Sequence, residues 1–141
     1  MTFSIDTSTE FGARAVRRLQ GDPIVWLVTV DPTGAPVPSP VWFLWEDGEV
    51  LMYSRPGTPK LRNIEANPRV ALNLDSADDG EDVVILSGRA RIDRGQPRAD
   101  QVEAYVSKYS ELIARLGWEP AGFAADYSVA VRIEPLRLRG L

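Results

Sequence analysis

The chain has no cysteine and no histidine among its 141 residues. Without cysteine there are no disulfides, thiolate nucleophiles, thiolate metal sites or redox-active CxxC pairs. Without histidine, Ser-His-Asp chemistry, imidazole acid–base catalysis and His-ligated zinc or haem are all excluded. No Asp-x-Asp-x-Asp-Gly calcium loop occurs, Asp78-Asp79-Gly80 reads as a turn, and no metal is expected. Lysine is scarce: the 16 cations are 14 Arg with only Lys60 and Lys108. The net charge of −4 argues against nucleic acid, because binding a phosphate backbone needs a basic surface. No apolar run approaches the roughly 20 residues needed to span a bilayer, so no membrane partner is expected. The opening MTFSIDTSTE lacks the basic and apolar regions of a signal peptide, which predicts a cytoplasmic protein. Reactive chemistry, if present, would come from an organic cofactor that the protein positions.

What is present reads as one domain over residues 1–141. A chain of this size buries about 68–70% of its surface on folding. Thr7 with Glu10 resembles a capping box, and apolar residues at helical spacing predict a helix over 8–20. The run IVWLVTV (24–30) predicts a strand buried on both faces. Asp31-Pro32-Thr33-Gly34 predicts a tight turn, followed by strands over 36–46 and 49–55 joined at Asp47-Gly48, so that the first three strands form a meander. A short helix over 59–66 precedes strands at 69–75 and 82–93, with a polar acidic loop over 76–81 between them. Gly88 marks a bulge or a close backbone approach. Val102, Tyr105, Val106, Tyr109, Leu112, Ile113 and Leu116 form the apolar stripe of a helix over 98–116 capped by Gly117. WEPAGFAAD (118–126) reads as a loop, and a last strand ends the chain. Six strands joined largely by short turns, without βαβ alternation, favour a mainly β antiparallel barrel with flanking helices.

The segment TPKLRN carries the strongest functional signal. Thr58 is the expected N-cap and Pro59 the first helical residue, so free backbone N–H groups and the positive end of the helix dipole point one way. Lys60 and Arg62 add cations where the dipole disfavours them unless an anion is shared. That combination describes a site for a phosphorylated ligand. Alternation along the aromatic strand puts Trp42 and Trp45 on opposite faces, so at most one faces such a ligand.

PVWFLWEDGEVLMYS, TPKLRNIEANPRVAL and ILSGRARI, in that order, resemble the pyridoxamine-phosphate-oxidase-like superfamily of flavin and deazaflavin split barrels. The resemblance is closest to its deazaflavin branch, which uses coenzyme F420, and covers about Ile24 to Leu138. It implies a six-stranded antiparallel split β-barrel that forms a homodimer with a cofactor groove at each side of the interface. By position, Lys60, Arg62 and Asn63 would contact the cofactor phosphate at the helix capped by Thr58. Ser54 and Arg55 would end the strand beneath it, and Ser39, Pro40, Val41 and Trp42 would border the ring system. Trp118 and Phe123 would reach the partner's site. FMN-using members carry Arg and Lys on the strand equivalent to 37–44. Here that strand reads VPSPVWFL, without a cation, which favours F420 over FMN.

The resemblance thus implies an oxidoreductase moving hydride from reduced F420 to a small electrophilic acceptor such as an activated alkene, quinone or tetrapyrrole. No residue is assigned as the catalytic proton donor. Two alternatives stay open: an FMN-dependent oxidase or reductase on the same fold, and a non-catalytic binder of a cofactor or lipophilic ligand.

Overall fold

The computed structural model describes residues 3–76 and 78–141. Ala77, inside the acidic loop expected over 76–81, lies outside the described residues, as do Met1 and Thr2. Helix α1 spans Glu10–Gly21 and is capped by Thr9, not Thr7. The Thr9 side-chain oxygen accepts from the Gly12 N–H at 2.9 Å, the N-cap-to-N3 spacing. Asp6 fixes that position: its carboxylate accepts from Ser8, and its carbonyl accepts the Thr9 hydroxyl proton at 2.9 Å.

Seven strands follow: β1 (Val25–Val30), β2 (Pro36–Val41), β3 (Leu44–Glu46), β4 (Glu49–Ser54), β5 (Arg69–Leu74), β6 (Val84–Ile92) and β7 (Val129–Gly140). They pair antiparallel throughout in the order β2-β1-β5-β6-β7-β4-β3. The strand expected over 36–46 is therefore two strands at opposite ends of the sheet. The expected meander is instead two separate hairpins, β1–β2 and β3–β4. Only Trp42 and Phe43 join the ends, and three peptide steps reach at most about 11 Å. The sheet must curl until its edges adjoin, which gives a split barrel with seven strands where six were expected. In β2, Pro36, Pro38 and Pro40 alternate, a pattern suited to an edge strand because proline cannot donate to a ladder.

The strand buried on both faces is β4 rather than β1. Val50 and Met52 enter the barrel core with Leu27, Phe43 and Ile133, while Leu51 and Tyr53 enter a second core under the helices. On β1 only Val25, Leu27 and Thr29 face inward. Trp26 lies on the outer face, 37% exposed, with its indole N–H on the Asp75 carboxylate at 2.9 Å. Val28 and Val30, on the same face, are half-buried. Gly88 satisfies both readings at once. The β6–β7 register shifts at Ser87/Gly88, and a Cβ on Gly88 would lie 2.4 Å from the Glu134 carbonyl oxygen.

The second core belongs to α3 (Glu103–Arg115) and α4 (Pro120–Asp126). The expected helix over 98–116 is shorter, preceded by a 3₁₀ turn at Ala99–Gln101. It ends in a Schellman motif: Trp118 N–H reaches the Ile113 carbonyl, Gly117 N–H reaches that of Ala114, and Gly117 has φ +75°. Residues expected as a loop form α4, which starts with Pro120 in its first turn and packs Phe123 and Ala124 inward.

At the crossing between β2 and β3, the backbone of Phe43 has no ladder partner, and α3 supplies one. The Phe43 N–H donates to the Tyr109 hydroxyl at 2.8 Å, and the Phe43 carbonyl accepts from Lys108 Nζ at 2.7 Å. The Tyr109 hydroxyl proton faces the carbonyls of Pro23 (2.7 Å) and Phe43 (2.9 Å). Burial pushes the Tyr109 phenol above its ordinary pKa, so it stays a neutral donor. Replacing Tyr109 with Phe leaves the buried Phe43 amide unpartnered and should cost about 1–3 kcal/mol of stability, read from urea unfolding. Burial also pushes Lys108 down to about 8, against about 10.4 in an unfolded chain. Between those values the unfolded state holds more protons, so stability rises with pH across that window and the gain is lost as pH falls through the folded value. A Lys108→Met variant, followed by thermal unfolding from neutral to alkaline pH, should lack that component of the rise.

Candidate functional site

Strand β4 ends at Ser54, and the turn Arg55-Pro56-Gly57, with Gly57 at φ +74°, delivers the chain to helix α2 (Pro59–Ala66). Thr58 occupies the N-cap position, but its side chain makes no capping bond. Its hydroxyl lies 3.1 Å from that of Ser54, tying the strand end to the helix start. The helix start is also less open than its sequence suggests. Pro59 has no N–H, and the amides of Leu61 and Arg62 turn back to the Thr58 carbonyl at 3.2 and 3.4 Å.

Lys60 projects beside this junction, half-buried, and burial lowers its pKa. Among the described residues it makes no salt bridge and no side-chain hydrogen bond. Its ammonium is therefore a desolvated charge without compensation, the condition a bound anion relieves. Arg62 turns away to donate to the Gly57 carbonyl at 2.7 Å on the exposed side. Asn63 faces the barrel interior, 6% exposed, and donates to the Thr29 hydroxyl at 3.0 Å. Ser39 lies on β2 opposite Leu27, with its hydroxyl oxygen buried and unpartnered among the described residues.

A groove of about 430 Å³ runs from Lys60 towards α4, within the usual range of ligand sites. Of the residues expected at a cofactor site, Pro40, Val41 and Trp42 form one wall. Ser54, Arg55, Thr58 and Lys60 form the polar end, and Trp118 stands at the far end. Ser39, Arg62 and Asn63 do not line the groove. Trp118 and Phe123, expected to reach a partner's site, line this chain's own groove.

The far end is aromatic. Trp42 stacks on Tyr109 at 4.6 Å and nearly parallel, and its other neighbour is Phe123 at 5.2 Å. Phe123 stacks on Tyr127 at 4.6 Å, and the Arg55 guanidinium sits 5.1 Å from the Tyr127 ring centroid. Trp45 packs on the barrel core instead, so the two tryptophans do face opposite ways. Tyr127, Leu116 and Tyr53 were not among the expected site residues. A signal for Tyr127 was present: Pro120 as a helix start puts Phe123 and Tyr127 four residues apart on one face.

The groove thus offers one desolvated cation, one stacked cation, two hydroxyls and an aromatic wall. That set suits an anion joined to a flat ring system. Among the described residues no group of carboxylates is placed to hold a metal ion, and no helix is long and apolar enough to cross a membrane.

Solved structures share this fold. The chain is similar to a solved F420 reductase at 25% identity, over 87% of this chain and 94% of that one, with a TM-score of 0.60. It shares its fold with an FAD-binding protein from Mesorhizobium loti (23% identity, 89% and 90% coverage, TM-score 0.66). It also shares it with the haem-storage protein HutZ from Vibrio cholerae (18% identity, 98% and 95% coverage, TM-score 0.61). No curated protein matches the chain. The profile described as pyridoxamine 5'-phosphate oxidase matches residues 11–141. The strand order, the groove at the start of α2 and this match together place the chain in the pyridoxamine 5'-phosphate oxidase family.

Proposed function

We propose that the protein is an F420-dependent reductase acting in the cytoplasm as a homodimer, with the groove at Lys60 as its cofactor site. The observation that carries this reading is the uncompensated, half-buried ammonium of Lys60 at the polar end of an otherwise apolar and aromatic groove. Strand β2 and the crossing after it contribute Pro40, Val41 and Trp42 to the wall but no cation. Family members that use FMN carry cations there, and the likeness to an F420 reductase points the same way.

In this reading Lys60 grips the phosphate, its charge-assisted bond contributing about 1.5–3 kcal/mol. The Ser54 and Thr58 hydroxyls, whose protons go to the Arg55 carbonyl and to Ser54, fix the strand end and helix start beside it. Val41, Trp42 and Met52 would flank the ring and shield it from water. A reduced deazaflavin bound there would supply hydride to an acceptor. The protein's part would be proximity, with the Trp42–Tyr109 stack supporting the wall and the aromatic end seating the acceptor.

Titration with oxidised F420, followed by its fluorescence, should show saturable binding at or below tens of micromolar, with FMN binding more weakly. Tight FMN binding with none for F420 would transfer the site to the flavin. Cofactor binding without reduction of any acceptor, across alkenes and quinones, would make the protein a binder. Lys60→Ala should weaken F420 binding by about one to two orders of magnitude, about 1.5–3 kcal/mol. Unchanged affinity would place the phosphate elsewhere.

A further inference from the structure

Beyond the groove lies a second, smaller cavity of about 130 Å³ that shares Trp118, Phe123 and Tyr127 with it. Its remaining lining is Glu119, Gly122 and Asp126 of α4 and its N-cap. Gly122 lines it without a side chain, and a Cβ added there would meet nothing within 4 Å, so a larger residue can be placed there without a clash. An apolar cavity of about 150 Å³ takes a benzene ring, so this one is the size of a single aromatic ring. Trp118 stands at its mouth, 41% exposed, 6.3 Å from Phe123 and 6.5 Å from Tyr127.

The two cavities differ in charge. Lys60 stands in the groove, Arg55 lies over Tyr127 between the two, and Glu119 and Asp126 border the small cavity and form no salt bridge among the described residues. An anionic ligand is drawn to the first and repelled from the second, while a neutral or cationic ring meets no such penalty in the second. Trp, Tyr and Phe faces also attract cations.

We infer that the Trp118–Phe123–Tyr127 cavity is the seat of the second ligand, a flat aromatic ring compound that is uncharged or cationic. This deepens the proposed function, since an electron-poor ring there would be the hydride acceptor: a cationic N-heteroaromatic would be neutralised by the hydride that reduced F420 gives up, and a quinone would also take a proton from water. It assigns specificity to α4, through its two carboxylates and its one open position.

The test uses Lys60→Ala protein without cofactor, so that the groove no longer draws an anion, and three monocyclic probes of one size, phenol, N-methylpyridinium and benzenesulfonate, titrated by ligand-observed NMR. The neutral and cationic probes should saturate, and the sulfonate should bind about tenfold more weakly, as expected for one extra charge near two exposed carboxylates. Gly122→Leu, which favours the helix while filling the space, should weaken the first two probes by about tenfold or more. Glu119→Gln with Asp126→Asn should erase the discrimination against sulfonate. Equal binding of all three probes, no saturable binding of any, or indifference to Gly122→Leu would overturn the assignment. The F420 titration, made with Lys60 intact, separates the two readings. Gly122→Leu that loses ring binding yet keeps F420 binding supports the second seat, and ring binding without F420 binding removes the cofactor reading alone.

Discussion

The backbone of Phe43 is the point on which the rest of the structure depends. The chain has to cross from one end of the sheet to the other in two residues, and a crossing so short leaves a buried amide and carbonyl outside every ladder. Unpartnered, such groups would each cost about 1–3 kcal/mol. Helix α3 resolves this with two consecutive residues, Lys108 to the carbonyl and Tyr109 to the amide. Fixing α3 there fixes the second core, and Tyr109 then becomes the surface on which Trp42 stacks. The wall of the groove is in this sense a by-product of closing the barrel.

The groove is built where two cores meet. Strand β4 sends alternate side chains into each, and its last residue, Ser54, opens the turn that carries Arg55 and leads to Lys60. Placing a lysine beside that junction destabilises its charge, and Arg62, equally cationic by sequence, avoids the same cost by turning out to the Gly57 carbonyl. Two cations two residues apart on one helix therefore have different chemistry. One is held by the chain itself, and the other remains available to a ligand.

Much of the fold was legible because local signals agreed with the global answer. The stripe of Tyr105, Tyr109 and Ile113, the turn at Asp31 and the helix at Pro59 all formed where their patterns predicted. Gly88 was legible for the same reason, since a glycine inside a strand weakens it unless a bulge or a close backbone needs the space. The misreadings arose where tertiary context overrode a local pattern. SPVWFLWE looks like one long strand, and nothing in its alternation shows that the sheet must be left at Trp42. Trp26 sits in a run apolar enough for two buried faces, yet its side chain stays exposed on the outer one. In the candidate site, Lys60, Ser54, Thr58 and Trp42 were readable from motif and order. Asn63 was not, because a polar side chain on a helix reads as exposed until its buried partner, Thr29, is seen. α4 was hidden by a proline and a glycine that signal a loop as readily as a helix start.

The alternating prolines of β2 have a consequence for the protein's behaviour in concentrated solution. An edge strand ordinarily presents a row of outward N–H groups on which a second chain can add a strand. β2 keeps its register with β1 through residues 36–41, and Pro36, Pro38 and Pro40 share one parity along it. Prolines survive in a paired strand only where the N–H would point away from the partner. The outer edge of β2 therefore carries carbonyls and no donors, and a foreign strand would find only acceptors to pair with. The rim that supplies Pro40 to the groove is thus also protected against templated aggregation.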